Sequence, residues 1–334
     1  MLSPKESGSF IAEKAELVTI NQEGITSLSK QILSELKDGS LSIPKLLSQS
    51  SFPAGLSEEK LVNWLFVVDT LNFCFWPINE GNWEVKAKGE VHTGYFALCA
   101  ALDVCKDNGV DMTNPAFYSQ MSINDLQKIL EIDSDPLLKE RLDALHQVGN
   151  VLLENYNGSF ANCVKECEKS AQKLLQLIVT KFPCFNDVSE FKGQKVSFHK
   201  RAQILIADLW TTFNTKSYGE FHDIDTITMF ADYRVPQVLV HFGVLEYKKK
   251  LKDILGEGTV IASGSEVESE IRGCSIEAVE QLNVRVRKLL EQDGSDKNIV
   301  CNSILIDNYL WDYRRKHWSE LESIPFHKII SIYY

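Results

Sequence analysis

Residues 265–289, SEVESEIRGCSIEAVEQLNVRVRKL, determine the fold class that the sequence predicts. Ser265 and Glu268 have the spacing of a capping box, which marks the start of a helix. Apolar side chains then recur at steps of three or four residues, as on one face of an α-helix. We therefore expect a long helix with one buried stripe, formed by Ile276, Val279, Leu282, Val286 and Leu289.

Helical patterns of the same kind occupy most of the chain, whereas strand signals are few and short. The sequence therefore predicts a mostly α-helical protein with one minor β-hairpin at residues 83–95. Residues 1–15 are expected to form a loose N-terminal segment, and residues 16–334 a single compact domain of two helical lobes. The terminal HKIISIYY is expected to be a closing strand or an extended strap. The other predicted helices lie at residues 25–36, 58–73, 92–108, 159–178, 198–213 and 303–317.

The composition limits the classes of partner. Lys and Arg total 35 against 46 Asp and Glu among 334 residues, which gives a net charge of −11. Such a chain lacks the broad basic face that binding to a nucleic-acid polymer requires. It has no apolar run of about 18 residues that would predict a membrane span, and its N-terminus lacks the apolar region of a signal peptide. We expect a monomer whose partner is a small molecule.

The cysteines and the missing motifs point to a site without a metal or cofactor. None of the eight cysteines forms a CxxC pair, so we expect free thiols in a reduced core and a cytosolic or nuclear location. The seven histidines lack metal-ligand spacing. The chain also has no Walker loop, dinucleotide-binding fingerprint, nucleophile elbow or HExxH motif.

Two segments combine aromatic and polar side chains. In DTLNFCFW, residues 69–76, Trp76 and two phenylalanines follow Asp69 and Asn72; this is either the end of a core helix or a slot that stacks a planar ring. In FADYRVPQ, residues 230–237, the polar groups lie between two apolar runs. Asp232 and Arg234 there form either a structural pair or helix cap, or part of a site.

Two further segments carry charge beside apolar residues. In IDNYLWDYRR, residues 306–315, Asn308 and Asp312 share one helix face, and Asp307 is flanked by Leu and Ile. These carboxylates belong either to a solvated amphipathic helix or to a site. His199, Lys200 and Arg201 open another helix and form either local salt bridges or an anion pocket.

Together, these segments describe a site for a planar base, a cationic transition state and a phosphate. Hydrolysis of an N-glycosidic bond has such a transition state, because the sugar acquires oxocarbenium character. A fixed carboxylate near C1′ stabilises that charge, and a second acid can orient water or assist the leaving base.

The stretches VVDTLNFCFW, FADYRVPQVL and SEVESEIRG, with the terminal IYY, resemble the queuosine salvage family over about residues 18–334. The resemblance implies release of queuine from queuosine 5′-phosphate, with ribose 5-phosphate as the second product. It also implies a helical fold similar to helix-hairpin-helix DNA glycosylases, although the hairpin with Pro and two glycines is not legible here. The family's base site uses the Phe and Asp of F-A-D and two aspartates five apart, which match Phe230, Asp232, Asp307 and Asp312 here.

From these positions we assign expected roles. Asp307 faces the developing oxocarbenium, and Asp232 binds the aminomethyl arm or the cyclopentenediol of the base, although these two can exchange roles. Asp312 shares the recognition of the diol, with Asn308 and Tyr233 as further substrate contacts. Phe230 and Trp76 stack the deazaguanine, and Lys200 and Arg234 hold the phosphate. Two alternatives remain: a helical DNA glycosylase acting on a modified base, and a non-enzymatic helical adaptor that binds tRNA or a protein.

Overall fold

The computed structural model describes residues 1–49, 52–76, 83–132, 135–296 and 298–334. In this part of the chain the architecture is mostly α-helical, as the sequence predicts. The α-helices are α1 (Pro4–Lys14), α2 (Gln22–Lys37), α3 (Ile43–Gln49), α4 (Glu58–Leu71), α5 (Tyr95–Asp107), α6 (Pro115–Tyr118), α7 (Ile123–Leu130), α8 (Leu138–Asn155), α9 (Phe160–Glu166), α10 (Ala171–Lys181), α11 (Lys200–Thr212), α12 (Val235–His241), α13 (Lys249–Gly256), α14 (Glu266–Gln292), α15 (Ser303–Lys316) and α16 (Trp318–Leu321).

The strands among the described residues pair into three antiparallel sheets of two strands each. The strands are β1 (Val18–Ile20), β2 (Glu84–Ala87), β3 (Glu90–Thr93), β4 (Val188–Phe191), β5 (Gln194–Ser197) and β6 (Leu245–Tyr247). The β2–β3 pair is the predicted hairpin, with Val85 opposite His92. The other two pairs, β4–β5 and β1–β6, were not predicted from the sequence. Each of them has only three or four residues per strand, so neither offers a long alternating pattern.

The chain divides into two compact units. The first comprises residues 1–48, 187–203 and 224–330, and the second comprises residues 49–186, 204–223 and 331–334. In the first unit, α14 packs against α1, α2 and α15. Ser265 caps α14 by accepting a hydrogen bond from the Glu268 N–H at 3.3 Å, as the capping spacing predicts.

The second unit is built around aromatic side chains and a buried arginine. Phe66 in α4 stacks on Phe160 in α9, with ring centroids 4.1 Å apart. Arg141 in α8 donates hydrogen bonds to the carbonyls of Leu71 and Phe73 at 2.6 and 2.7 Å. Those bonds satisfy carbonyls that the end of α4 leaves without helical partners, and they fix the start of the aromatic segment 73–76.

Several predicted helix boundaries are wrong. Residues 1–15 are not a loose segment, because Ser3 and Glu6 form a capping box that starts α1, and Ile11 is fully buried. The predicted helix at 159–178 breaks between α9 and α10, where Glu168 and Lys169 have positive φ angles. The helix predicted from residue 92 begins at Tyr95, since the preceding residues belong to β3.

The remaining features agree with the expected core. All eight cysteines are free and buried, as the absence of CxxC pairs predicts. The terminal segment makes one isolated bridge, between Val260 and Lys328, so it is an extended strap rather than a regular strand. Within the described residues, no helix combines the length and apolar character needed to cross a membrane.

One buried ion pair connects three segments of the first unit that lie next to the candidate active site described below. Arg272 in α14 binds both oxygens of Asp187 at 2.9 and 2.6 Å, and each residue is only 2% exposed. Its Nε donates to the Ala231 carbonyl at 3.0 Å, and its guanidinium lies 4.1 Å from the Phe198 ring centroid. A single side chain therefore ties α14 to the segment before α11 and to the loop before α12.

We predict that Arg272→Met destabilises the first unit strongly. The substitution leaves the buried Asp187 carboxylate without its partner, which typically costs about 3–5 kcal/mol. Urea unfolding followed by circular dichroism measures the loss. Lys37→Met is the matched control, because it removes an exposed ion pair to Asp293 whose side chains are 45% and 44% exposed. Equal losses in the two variants would show that the Arg272–Asp187 pair has no special importance.

Candidate active site

The F-A-D segment is an irregular loop whose backbone is held by side chains from three helices. Thr228 donates its N–H to the Gln203 side chain of α11 at 2.9 Å. Phe230 donates its N–H to Asp307 Oδ1 of α15 at 2.9 Å, while the Ala231 carbonyl accepts from Arg272. Buried backbone groups outside helices and sheets need such partners, so these bonds fix the loop in one conformation.

Asp232 is buried and caps the start of α12. Its Oδ1 accepts hydrogen bonds from the N–H groups of Arg234 and Val235 at 2.9 and 2.8 Å. The structural alternative raised from the sequence is thus partly right: Asp232 is a cap, and the guanidinium of Arg234 binds Gln237 instead of Asp232. Both capping bonds use Oδ1, so Oδ2 is not committed to the cap.

Asp307 and Asp232 form a pair of buried carboxylates, and the charge of Asp232 acts on Asp307. Burial raises the pKa of Asp307 well above its usual range, and the charge of Asp232 raises it further. Burial also raises the pKa of Asp232, whereas the charge of Lys200 and the two capping N–H groups oppose that shift. Two neighbouring carboxylates in a dry site disfavour simultaneous ionisation, and the groups that oppose the pKa rise of Asp232 make it the more readily ionised of the two.

Lys200 provides the positive charge of this cluster. It is the first residue of α11 and only 6% exposed. Its charge lowers the pKa of both Asp232 and Asp307. Its backbone N–H donates to Asp187 Oδ2 at 3.2 Å, and the preceding His199 adopts a left-handed φ of 48°. The Arg272–Asp187 ion pair therefore positions both the lysine and the F-A-D loop.

The structure thus brings together Phe230, Asp232, Asp307 and Lys200, but it places other predicted residues differently. Asp312 forms a 2.6 Å ion pair with Lys316. It lies five residues after Asp307, about 140° around the helix, so the two carboxylates point in different directions. Asn308 donates its side-chain N–H to the Ile304 carbonyl at 3.0 Å, within its own helix.

The predicted aromatic contacts are buried. Phe230 and Tyr233 are each 8% exposed, and the Tyr233 ring lies 5.3 Å from that of Phe326. Trp76 belongs to the second unit, where it is 6% exposed and follows the fully buried Phe73. The Arg141 guanidinium lies 4.3 Å from the Phe73 ring, so Phe73 belongs to the core. Stacking of the substrate base by Phe230 and Trp76 stays a prediction.

Sequence reasoning missed the residues that position the site. The sequence patterns assign no role to Arg272 or to Asp187. The local signal that could have found Arg272 is its spacing of four residues from Glu268 on the predicted helix. Among the described residues, no group of three His, Cys, Asp or Glu side chains is arranged to hold a metal ion.

The family model and the relatives that match this chain carry related names. A family model described as queuosine salvage protein matches residues 53–334. The whole chain is 42% identical to queuosine 5′-phosphate N-glycosylase/hydrolase of Bos taurus and 40% identical to that of Nematostella vectensis, covering 99% of each relative. The enzyme of the same name from Schizosaccharomyces pombe is 34% identical over 98% of this chain and 99% of its own length.

We predict that Asp307→Asn stabilises the protein increasingly as the pH rises. A carboxyl whose pKa is raised by folding holds more protons when folded, so its contribution to stability falls as the pH increases above its unfolded pKa of about 3.9. The amide keeps the acceptor for the Phe230 N–H but does not ionise. The gain approaches about 1.4 kcal/mol for each unit by which folding raises the pKa.

Chemical denaturation at several pH values between 4 and 8 measures this difference. Asp253→Asn is the control, because Asp253 is an exposed residue of α13 that pairs with Lys249 at 2.7 Å. This control should follow the wild-type pH dependence. A difference between Asp307→Asn and wild type that does not change with pH would contradict the raised pKa.

Proposed function

The chain belongs to the queuosine salvage protein family, and on this basis we propose that it hydrolyses the N-glycosidic bond of queuosine 5′-phosphate. The products are queuine and ribose 5-phosphate. Full-length similarity to enzymes of that name supports this activity. The structural observation that carries the proposal is the buried pair of Asp232 and Asp307 beside Lys200.

The main requirement of the reaction is to stabilise the positive charge that develops on the sugar. The bond between C1′ and the base nitrogen breaks with its electrons going to the base, and the oxygen of water forms the new bond to C1′. Water loses one proton and the departing base gains one. Queuine is a 7-deazaguanine, so the base has no N7 at which protonation can assist departure. Stabilising the positive sugar is therefore the main task of the site.

The carboxylate pair can perform this task in its singly protonated state. The free protein favours Asp232 as the ionised member, so our assignment of Asp307 to C1′ requires that the Asp307 proton passes to Asp232 or to solvent when the substrate binds. Ionised Asp307 then faces C1′ and stabilises the oxocarbenium character. Its hydrogen bond from the Phe230 N–H fixes its direction before the substrate binds. The protonated member exchanges a proton with the water or the base. Asp232 can instead bind the cationic arm of the base, since the two assignments differ only in which carboxylate faces the sugar.

The position of Lys200 favours an interaction with the carboxylate pair more directly than a contact with the substrate phosphate. A buried ammonium beside two carboxylates favours ionisation of at least one of them. We therefore assign Lys200 to the control of charge in the pair. Arg234 keeps its assignment to the phosphate, and Phe230 and Trp76 keep theirs to the base. Asp312, Asn308 and Tyr233 remain expected contacts for the diol and the base.

No specific observation favours either alternative, a DNA glycosylase or a non-enzymatic adaptor. A DNA glycosylase would need a basic face, which a net charge of −11 does not favour. A non-enzymatic adaptor would not need a pair of buried carboxylates with raised pKa values. A monomeric state and a cytosolic or nuclear location remain predictions.

We predict that Asp307→Asn lowers the rate of queuine release by about 10²–10³-fold, the usual cost of one well-aimed electrostatic group. Asp232→Asn should also reduce activity, more strongly through substrate binding if Asp232 contacts the base. Liquid chromatography with mass detection of free queuine measures both rates. Asp253→Asn serves as the control. Wild-type rates in both folded site variants would place the active site elsewhere.

A further inference from the structure

Two arginines meet at one side chain next to the carboxylate pair. Arg234, just before α12, donates a hydrogen bond to Gln237 Oε1 at 3.2 Å. Arg314, in the last turn of α15, donates to the same oxygen at 3.1 Å. Gln237 is 2% exposed, and its amide nitrogen donates to the carbonyls of Leu321 and Ile324. The glutamine is therefore locked with its oxygen toward both guanidinium groups, which makes it a positioning residue.

The two guanidinium groups are close enough for their charges to interact unfavourably. Burial lowers the pKa of Arg314, and the charge of Arg234 lowers it further. Among the described residues, neither arginine forms an ion pair with a carboxylate at 4 Å or less. Arg234 lies over the rings of Phe326 and Tyr233, at 4.4 and 5.0 Å from their centroids. The charges of Glu322 and Asp232 partly oppose the lowering of the Arg314 pKa without forming an ion pair with it, and the Gln237 oxygen that both arginines bind is neutral, so the arrangement suits an anion.

We infer that Arg234 and Arg314 form an oxyanion site that holds the phosphate of the nucleotide substrate. Guanidinium groups bind phosphate through charge-assisted, often bidentate hydrogen bonds. The site adjoins the carboxylate pair, because the charge of Arg234 lowers the pKa of Asp232 and the charge of Asp232 raises the pKa of Arg314, and the backbone N–H of Arg234 binds Asp232 Oδ1. The identity of the anion rests on the proposed function, whereas the presence of an anion site does not.

A purely structural role is the competing explanation. A cation in the last turn of a helix interacts favourably with the helix dipole, and the stacking of Arg234 on aromatic rings also contributes packing. These effects explain why each arginine is tolerated singly. They do not explain why Gln237 holds the two charges together, which costs energy in the absence of an anion.

Arg314→Gln tests the inference, because it removes one charge from the site and keeps a polar side chain of intermediate length. Its value of kcat/KM for queuosine 5′-phosphate should fall by about 10–100-fold relative to that for the nucleoside queuosine. Arg314→Lys should restore part of that preference. Arg315→Gln is the matched control, because the neighbouring Arg315 is exposed and its guanidinium lies 5.0 Å from the Trp311 ring centroid; it should keep the wild-type preference.

Calorimetric titration with inorganic phosphate and ribose 5-phosphate provides a second measurement that does not depend on catalysis. Wild type and Arg315→Gln should bind both anions, and Arg314→Gln should bind them at least tenfold more weakly. If Arg314→Gln does not fold, Arg234→Gln replaces it in both assays. A change that affects nucleotide and nucleoside equally, or equal anion binding by all folded variants, would overturn the inference. If the wild-type protein binds both anions but releases no queuine, the proposed function is rejected and the anion site is retained.

Discussion

The buried ion pair between Arg272 and Asp187 is the interaction on which the candidate site depends. Removing two charges from water is costly unless their mutual geometry is good and their other hydrogen-bonding groups are satisfied. Here the guanidinium is bidentate, its Nε–H binds the Ala231 carbonyl, a terminal N–H also donates to Glu268, and its face lies on Phe198. Asp187 in turn accepts the N–H of Lys200. One pair thereby fixes the relative positions of the F-A-D loop and the site lysine.

The segments that this ion pair fixes also carry two buried carboxylates, Asp232 and Asp307, whose ionised forms are unfavourable away from water. Burial and the charge of Asp232 raise the pKa of Asp307, and the Phe230 N–H and the charge of Lys200 oppose this. Such groups lower stability at neutral pH in exchange for a defined protonation state, a compromise typical of active sites. The first unit thus contains two kinds of unfavourable charge arrangement, the acid pair and the two arginines at Gln237, and a phosphorylated sugar that becomes cationic complements both.

Local sequence signals predicted much of the fold and part of the site. The caps at Ser57 and Ser265 and the apolar periodicity of α14 and α15 are properties of neighbouring residues, so these helices were found. The polar residues of F-A-D and Asp307 stood out because apolar residues flank them. The break after α9 depends on two residues with positive φ that carry no glycine signal. Arg272 and Arg314 act on partners 85 and 77 residues away in sequence, and no local pattern reveals such contacts.

A crystal structure of the Asp307→Asn variant with queuosine 5′-phosphate would test the central claim most directly, because the variant should bind the substrate and cleave it slowly. The proposed site predicts C1′ of the ribose in contact with the side chain of residue 307 and close to Asp232, with the phosphate bound by Arg234 and Arg314. A bound nucleotide whose C1′ lies away from both residue 307 and Asp232 would contradict the account.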